Sequence, residues 1–219
     1  MQKASESAPV SEPTEHEVTS SDRIAHTPQS ASVRQFLGEL LRNIALVTAI
    51  VWVARTLIFQ PFVVEGTSMA PNLATNDYLI VDKLTYLFST PTRGQIVVFK
   101  YPNNPAISFV KRIIGLPGDT VKIADNSVTI INKTHPEGIR LNENYLTNGM
   151  KTTLQTGAAN GEFVVPADKY FVMGDNREAS SDSRMWGFLP KEDLTGRAVL
   201  RLFPFDKVEV ISHASYTDI

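Results

Sequence analysis

Ser68 stands in Glu-Gly-Thr-Ser-Met-Ala-Pro-Asn-Leu, residues 65–73, just beyond the most apolar stretch of the chain. A serine hydroxyl is a poor nucleophile until a neighbouring base takes its proton. Alone, Ser68 and Thr67 are equally well explained by turn hydrogen bonds. The chemistry therefore depends on a base. The only histidines are His16, His26, His135 and His213. Gly-x-Ser-x-Gly is absent and His135 lies in a polar, turn-like stretch, which argues against a Ser-His-Asp triad. No two histidines have His-x-x-x-His spacing and there is no cysteine, which disfavours a histidine metal site and excludes thiol catalysis.

Lysine is the remaining candidate. In Phe-Val-Lys-Arg-Ile-Ile-Gly-Leu-Pro-Gly-Asp, residues 109–119, a strand places Phe109, Lys111 and Ile113 on one face and Val110, Arg112 and Ile114 on the other. Lys111 then sits between two large apolar neighbours. It either snorkels out to water or is buried, and burial lowers the pKa of an amine. To act as a base near neutrality the amine must fall from about 10.4 by roughly 2–3 pH units, about 3–4 kcal/mol. Arginine cannot do this, because it stays protonated. Lys83 and Lys100 are the alternatives. A third stretch, Val172 to Pro190, breaks a strand at Gly174-Asp175-Asn176 and continues with small polar and charged residues through Arg184. It is either a hydrogen-bonded network or a well-capped turn with surface ion pairs of little worth.

Two kinds of element must position these residues. Residues 1 to about 35 are rich in Ser, Glu, Thr and Pro, too polar to bury the apolar area that offsets ordering entropy, and are expected to be a disordered tail. Residues 36–60 are expected to form an anchor helix. The uninterrupted apolar run, Ile44 to Ala54, spans 11 residues, which alone also fits a core or interfacial helix. Extension from Leu40 to Phe59 includes Arg42 and Arg55, placed where long side chains snorkel. Arg34 and Arg42 flank the N-terminal end and no Lys or Arg occurs from Gln60 to Asp82, so the bias of positive charge puts the N-terminus in the cytoplasm and the rest outside.

Beyond Pro61 short apolar runs alternate with turn signals. Strands are expected at 78–81, 95–101, 108–114, 120–124, 127–131, 162–165, 169–173, 198–203 and 207–211, with no long amphipathic helix. The fold class is mainly β: an antiparallel coiled sheet or barrel over 61–219, with one N-terminal transmembrane helix. Residues 132–161 are polar and turn-rich, and read as an insertion or extended hairpin. The formal net charge of −2 gives no reason to expect nucleic acid as a partner.

In order, the anchor, Gly-Thr-Ser-Met-Ala-Pro-Asn-Leu, Tyr-Leu-Ile-Val-Asp-Lys-Leu, Arg-Gly-Gln-Ile-Val-Val-Phe-Lys-Tyr-Pro, Phe-Val-Lys-Arg-Ile-Ile-Gly-Leu-Pro-Gly-Asp and Gly-Asp-Asn-Arg-Glu-Ala-Ser-Ser-Asp-Ser-Arg resemble bacterial type I signal peptidases, in the short single-anchor form of Gram-positive bacteria and cyanobacteria. The resemblance runs from about Arg55 to Phe205 and is loose across 132–161. It implies that Ser68 is the nucleophile and Lys111 the general base. Ser180 matches the serine that orients the lysine amine. Asp182 and Arg184 match a supporting ion pair, and Gly174, Asp175, Asn176 and Arg177 the turn packed against the site. Phe62, Val64, Met69, Leu73, Val98, Phe109 and Val110 match substrate-pocket positions, though core packing would explain each of them equally well. The oxyanion falls to the Ser68 backbone N–H. Better-known members add a serine hydroxyl where this chain has Gly66, so the second donor is a backbone N–H or water. The implied substrates are secretory preproteins cut after a small-x-small, typically Ala-x-Ala, site. The implied setting is a plasma or thylakoid membrane near the export translocon, with no metal or cofactor.

Two rivals are self-cleaving Ser-Lys repressors and an inactive membrane-tethered binding protein. The first would bring a DNA-binding domain and lack the Gly-Asp-Asn-Arg stretch. The second would be expected to have lost catalytic positions, all of which are filled here.

Overall fold

The computed structural model describes residues 29–147, 150–154 and 161–216; the expected tail, up to residue 28, lies outside them. Helix α1 spans Gln29–Leu57. Within it Val33–Val53 is long and apolar enough to cross a membrane, and none of that stretch is buried. Helical residues extend N-terminal of residue 36, back to Gln29, with no proline before Pro61 to interrupt them. It also stops earlier than residue 60. Pro61 lacks an N–H and disfavours helical geometry in the residue before it, and Phe59–Val63 instead forms strand β1. As an edge strand, β1 tolerates proline. It pairs antiparallel with β2, Tyr78–Asp82, with Pro61 opposite Ile80.

The remaining strands are β3 (Ile96–Tyr101), β4 (Asn104–Gly115), β5 (Thr120–Ala124), β6 (Ser127–Ile131), β7 (Ile139–Arg140), β8 (Gly161–Val164), β9 (Lys169–Met173), β10 (Leu189–Pro190), β11 (Leu194–Phe203) and β12 (Glu209–Val210). Between them lie two four-residue helices, α2 (Thr85–Phe88) and α3 (Ser183–Trp186). One sheet runs β1-β2-β11-β3-β4-β9-β10, with β12 against β11; the other runs β7-β6-β5-β8. Every pairing is antiparallel.

Strands β3 and β4 lie centrally and are covered on both faces, which is why Ile-Val-Val-Phe reads as an unbroken apolar run. Their register sets Val97 opposite Lys111, Val98 opposite Val110 and Phe99 opposite Phe109. On one face Val98 and Val110 join Val64, Met69, Leu73, Leu79 and Val81 in a core cluster. On the other, Val97, Phe99 and Ile113 pack with Tyr170, Val172 and Leu189, with Phe109 against them. The second sheet closes a further cluster with Ile114, Phe171 and Met173.

Candidate active site

Ser68 lies on the loop between β1 and β2. The loop is closed at its base by Val64 N–H to the Asp77 carbonyl and Asn76 N–H to the Val64 carbonyl, both 2.9 Å. Met69 and Leu73 are sunk in the core beneath it, so two buried side chains fix the turn that presents Ser68. The Thr75 hydroxyl donates to the Gly66 carbonyl at 2.9 Å. Gly66 has φ +87°, and no neighbour lies within 4 Å of the place a Cβ would take. Backbone geometry rather than space therefore favours glycine over serine at this position.

Lys111 comes from β4. It is 3% exposed, its Nζ lies 2.7 Å from Ser68 Oγ, and it donates to the Val110 carbonyl at 3.0 Å. The Phe109 ring centroid is 4.9 Å away. Burial pushes the amine down to about 8, opposed by the charges of Asp182 and Asp175. Neither Lys83 nor Lys100 lines the groove that contains Ser68. His213 sits elsewhere: its Nδ1 accepts the Ile96 N–H at 3.2 Å. Burial, then Arg197 and Arg112, depress its pKa to about 4.

The Val172–Arg184 segment is a buried network. Asp182 is fully buried, caps α3 by accepting the Arg184 N–H, and takes the Arg184 guanidinium in a bidentate pair at 2.8 and 2.7 Å. Its second oxygen accepts the Gly174 N–H at 3.0 Å. At Gly174 an added Cβ would lie 2.2 Å from Ser180 Oγ and 2.4 Å from the Ser68 carbonyl oxygen. Ser180, which is buried, thus packs through Gly174 against the nucleophile's own backbone, and no side chain fits between them. Asn176 donates its backbone N–H to the Ser68 carbonyl at 3.0 Å and its side-chain amide to the Thr67 carbonyl at 3.1 Å.

Two buried arginines complete the support. Arg112, next to Lys111 but on the opposite face of β4, clamps Asp175 at 2.8 and 2.7 Å. Arg177 donates to the Gly174 carbonyl, to Thr152 and to both oxygens of Glu143. Residues 132–161 are therefore more than a surface insertion. Ile139–Arg140 pairs with β6, and Glu143 and Thr152 are ion-pair and hydrogen-bond partners of the Gly-Asp-Asn-Arg turn. Sequence reasoning missed Arg112 and Glu143 as members of this network. The one signal for Arg112 was its place on a strand between apolar residues, where a guanidinium requires a carboxylate partner.

A groove of about 550 Å³ opens over Ser68 and Lys111, lined by Phe62, Phe109 and Val110 and also by Glu65, Gly66, Thr67, Ile107, Ser108 and Ser181. Val64, Met69, Leu73 and Val98 do not line it. They are at most 2% exposed and pack together in the core cluster beneath the loop.

Residues 37–203 match the family described as signal peptidase, peptidase S26. Signal peptidase I of Leptolyngbya laminosa is 37% identical over 180 residues, covering 78% of this chain and 82% of the relative. Signal peptidase I P of Bacillus subtilis subsp. natto is 36% identical over 173 residues, 77% of this chain and 90% of the relative. A crystal structure of a signal peptidase I from Enterococcus faecalis V583 is 32% identical and covers 51% of this chain and 98% of its own, with a TM-score of 0.40. The chain belongs to the signal peptidase family, peptidase S26, and is a hydrolytic serine peptidase of the type I class.

Proposed function

We propose that this chain is a membrane-anchored endopeptidase that cuts signal peptides from exported precursors through a Ser68–Lys111 dyad. The observation that carries the reading is the 2.7 Å approach of a buried, pKa-depressed amine to the Ser68 hydroxyl. Neutral Lys111 takes the proton of Ser68, whose Oγ attacks the scissile carbonyl. The Ser68 backbone N–H faces the oxyanion, a contact of the kind that lowers such barriers by about 3–4 kcal/mol. The leaving amine takes the proton back from Lys111, and the same amine then activates the water that releases the acyl group. Asp182 and Asp175 temper the burial effect on Lys111, while Asn176 and Gly174 hold the Ser68 carbonyl so that its hydroxyl faces the amine.

Substrate is read as a strand. Ser108–Lys111 of β4 pair with β3 on one side, and β9 begins its pairing with β4 only at Arg112. Their other edge and the β1 edge near Phe62 border the groove, which suits pairing by an extended peptide. Phe62, Phe109 and Val110 narrow the floor, which favours small residues at the first and third positions before the cut. Helix α1 is the anchor, with its N-terminal end cytoplasmic and residues 61–219 outside. Ser68 follows the helix by eleven residues, which keeps the site within reach of the bilayer where signal peptides emerge.

Purified protein incubated with a labelled precursor, beside Ser68→Ala, tests this. The wild type is expected to yield one new N-terminus after a small-x-small site, and the variant none. Cleavage that persists in Ser68→Ala contradicts the reading.

A further inference from the structure

We propose that Tyr145, held in place by Tyr216, is a positioning residue that sets the spacing between the nucleophile loop and the base strand. This rests on the Ser68–Lys111 reading above. Neither residue was singled out by sequence, and Tyr216 lies beyond the family-matched residues, 37–203.

Asp175 is the link between the two halves of the dyad. One of its carboxylate oxygens accepts from Asn72 at 2.8 Å, four residues past Ser68. Both oxygens accept from Arg112, the residue after Lys111. Tyr145 touches both ends of this link. Its carbonyl accepts the Asn72 amide at 2.9 Å. Its ring lies 3.9 Å from the Arg112 guanidinium carbon, a stacking that covers a buried cation. Its hydroxyl accepts from Arg177 at 3.1 Å and donates to Glu143 at 2.7 Å. A shift of Arg112 moves Lys111 with it, because the two share one strand, and a shift of Asn72 moves the loop that carries Ser68.

Packing alone does not hold this ring. A cavity of about 310 Å³ opens beside it, bounded by Asn72, Arg112, Tyr145 and His213. What fixes the ring on that side is the C-terminal segment. Ala214 N–H donates to the Gly94 carbonyl at 3.3 Å, and the Tyr216 hydroxyl donates to that of Tyr145 at 3.1 Å. The same Gly94 carbonyl accepts from Arg112 at 2.8 Å, so the segment is tied to the link at two points.

The test is steady-state cleavage of a labelled precursor by the full chain as Tyr145→Leu, Tyr145→Phe, Tyr216→Phe and the Phe double variant. Beside them stands Val128→Ala, a core truncation in the second sheet that lowers melting temperature without touching the link. Tyr145→Leu is expected to lower kcat about tenfold or more, the scale on which sub-ångström misplacement acts, with KM within about twofold of wild type. Tyr145→Phe keeps the ring over Arg112 and loses less. Tyr216→Phe lowers kcat in the wild-type background and adds nothing in Tyr145→Phe, because its partner hydroxyl is already gone. Unchanged kcat in Tyr145→Leu overturns the proposal. So does a loss confined to KM, one matched by Val128→Ala at equal melting temperature, or full additivity of the two Phe variants. If instead Ser68→Ala still cleaves, the dyad reading itself has failed and this inference falls with it.

Discussion

Lys111→Ala is expected to lose precursor cleavage by about 10³-fold or more while remaining folded, since a nucleophile and its base act as a unit and loss of either removes most of the rate. Burial makes this side chain costly as a cation. The amine titrates at about 8 in the folded chain against an ordinary 10.5. Between those values the unfolded chain binds more protons, so this group's contribution to stability rises with pH through that window, and below about 8 its buried charge is a burden. Removing it is therefore no route to unfolding. Lys111→Arg is expected to be equally inactive, because a guanidinium placed at Ser68 Oγ stays protonated and has no lone pair to accept the proton. Cleavage is read by gel against a labelled precursor and folding by circular dichroism. Substantial cleavage by either folded variant would remove Lys111 from the mechanism.

Asp182→Ala carries the largest expected effect on stability. It leaves the fully buried Arg184 guanidinium without its bidentate partner, with one remaining contact to the Thr153 carbonyl at 2.9 Å. Breaking one side of such a pair costs roughly 3–5 kcal/mol, which for a domain of this size lowers the melting temperature by about 6–20 °C. Replacing both partners by apolar residues, Asp182→Leu with Arg184→Met, is expected to recover much of the loss, because no uncompensated charge remains. Asp182 also stabilises the charged form of Lys111, so whatever activity the single variant keeps is expected to persist to lower pH than in wild type. A melting temperature within about 2 °C of wild type would show that the pair is not structurally significant.

The sheet was legible because its interior strands carry their own pattern. Thr120–Ala124 and Lys169–Met173 were readable to the residue from their apolar runs. β1 was not, since Phe-Gln-Pro-Phe-Val continues the apolar run of the helix and only Pro61 marks the change. β7 and β10 are two-residue pairings that neighbours impose. At the site, residue pattern alone put Lys111 between apolar neighbours on one face but left its partner open; the roles of Ser68 and Ser180 came through resemblance. The Arg112–Asp175 clamp was hidden because 63 positions separate its partners. Tyr145 was hidden because its surroundings have no period at all. The four pocket positions that lie in the core, Val64, Met69, Leu73 and Val98, share one buried cluster with groove-lining Val110, so residue type and face could not separate them.

The central claim is that one amine, its proton loosened by burial, serves one hydroxyl. The pH dependence of kcat/KM for precursor cleavage measures that directly, since its acid limb reports the free enzyme's essential base. With Lys111 at about 8, the rate is predicted to rise about tenfold per pH unit below that value and level off above it. An acid limb near the ordinary histidine value of about 6.5, or a rise continuing unbroken to about 10.4 as for a solvated lysine, would contradict the account.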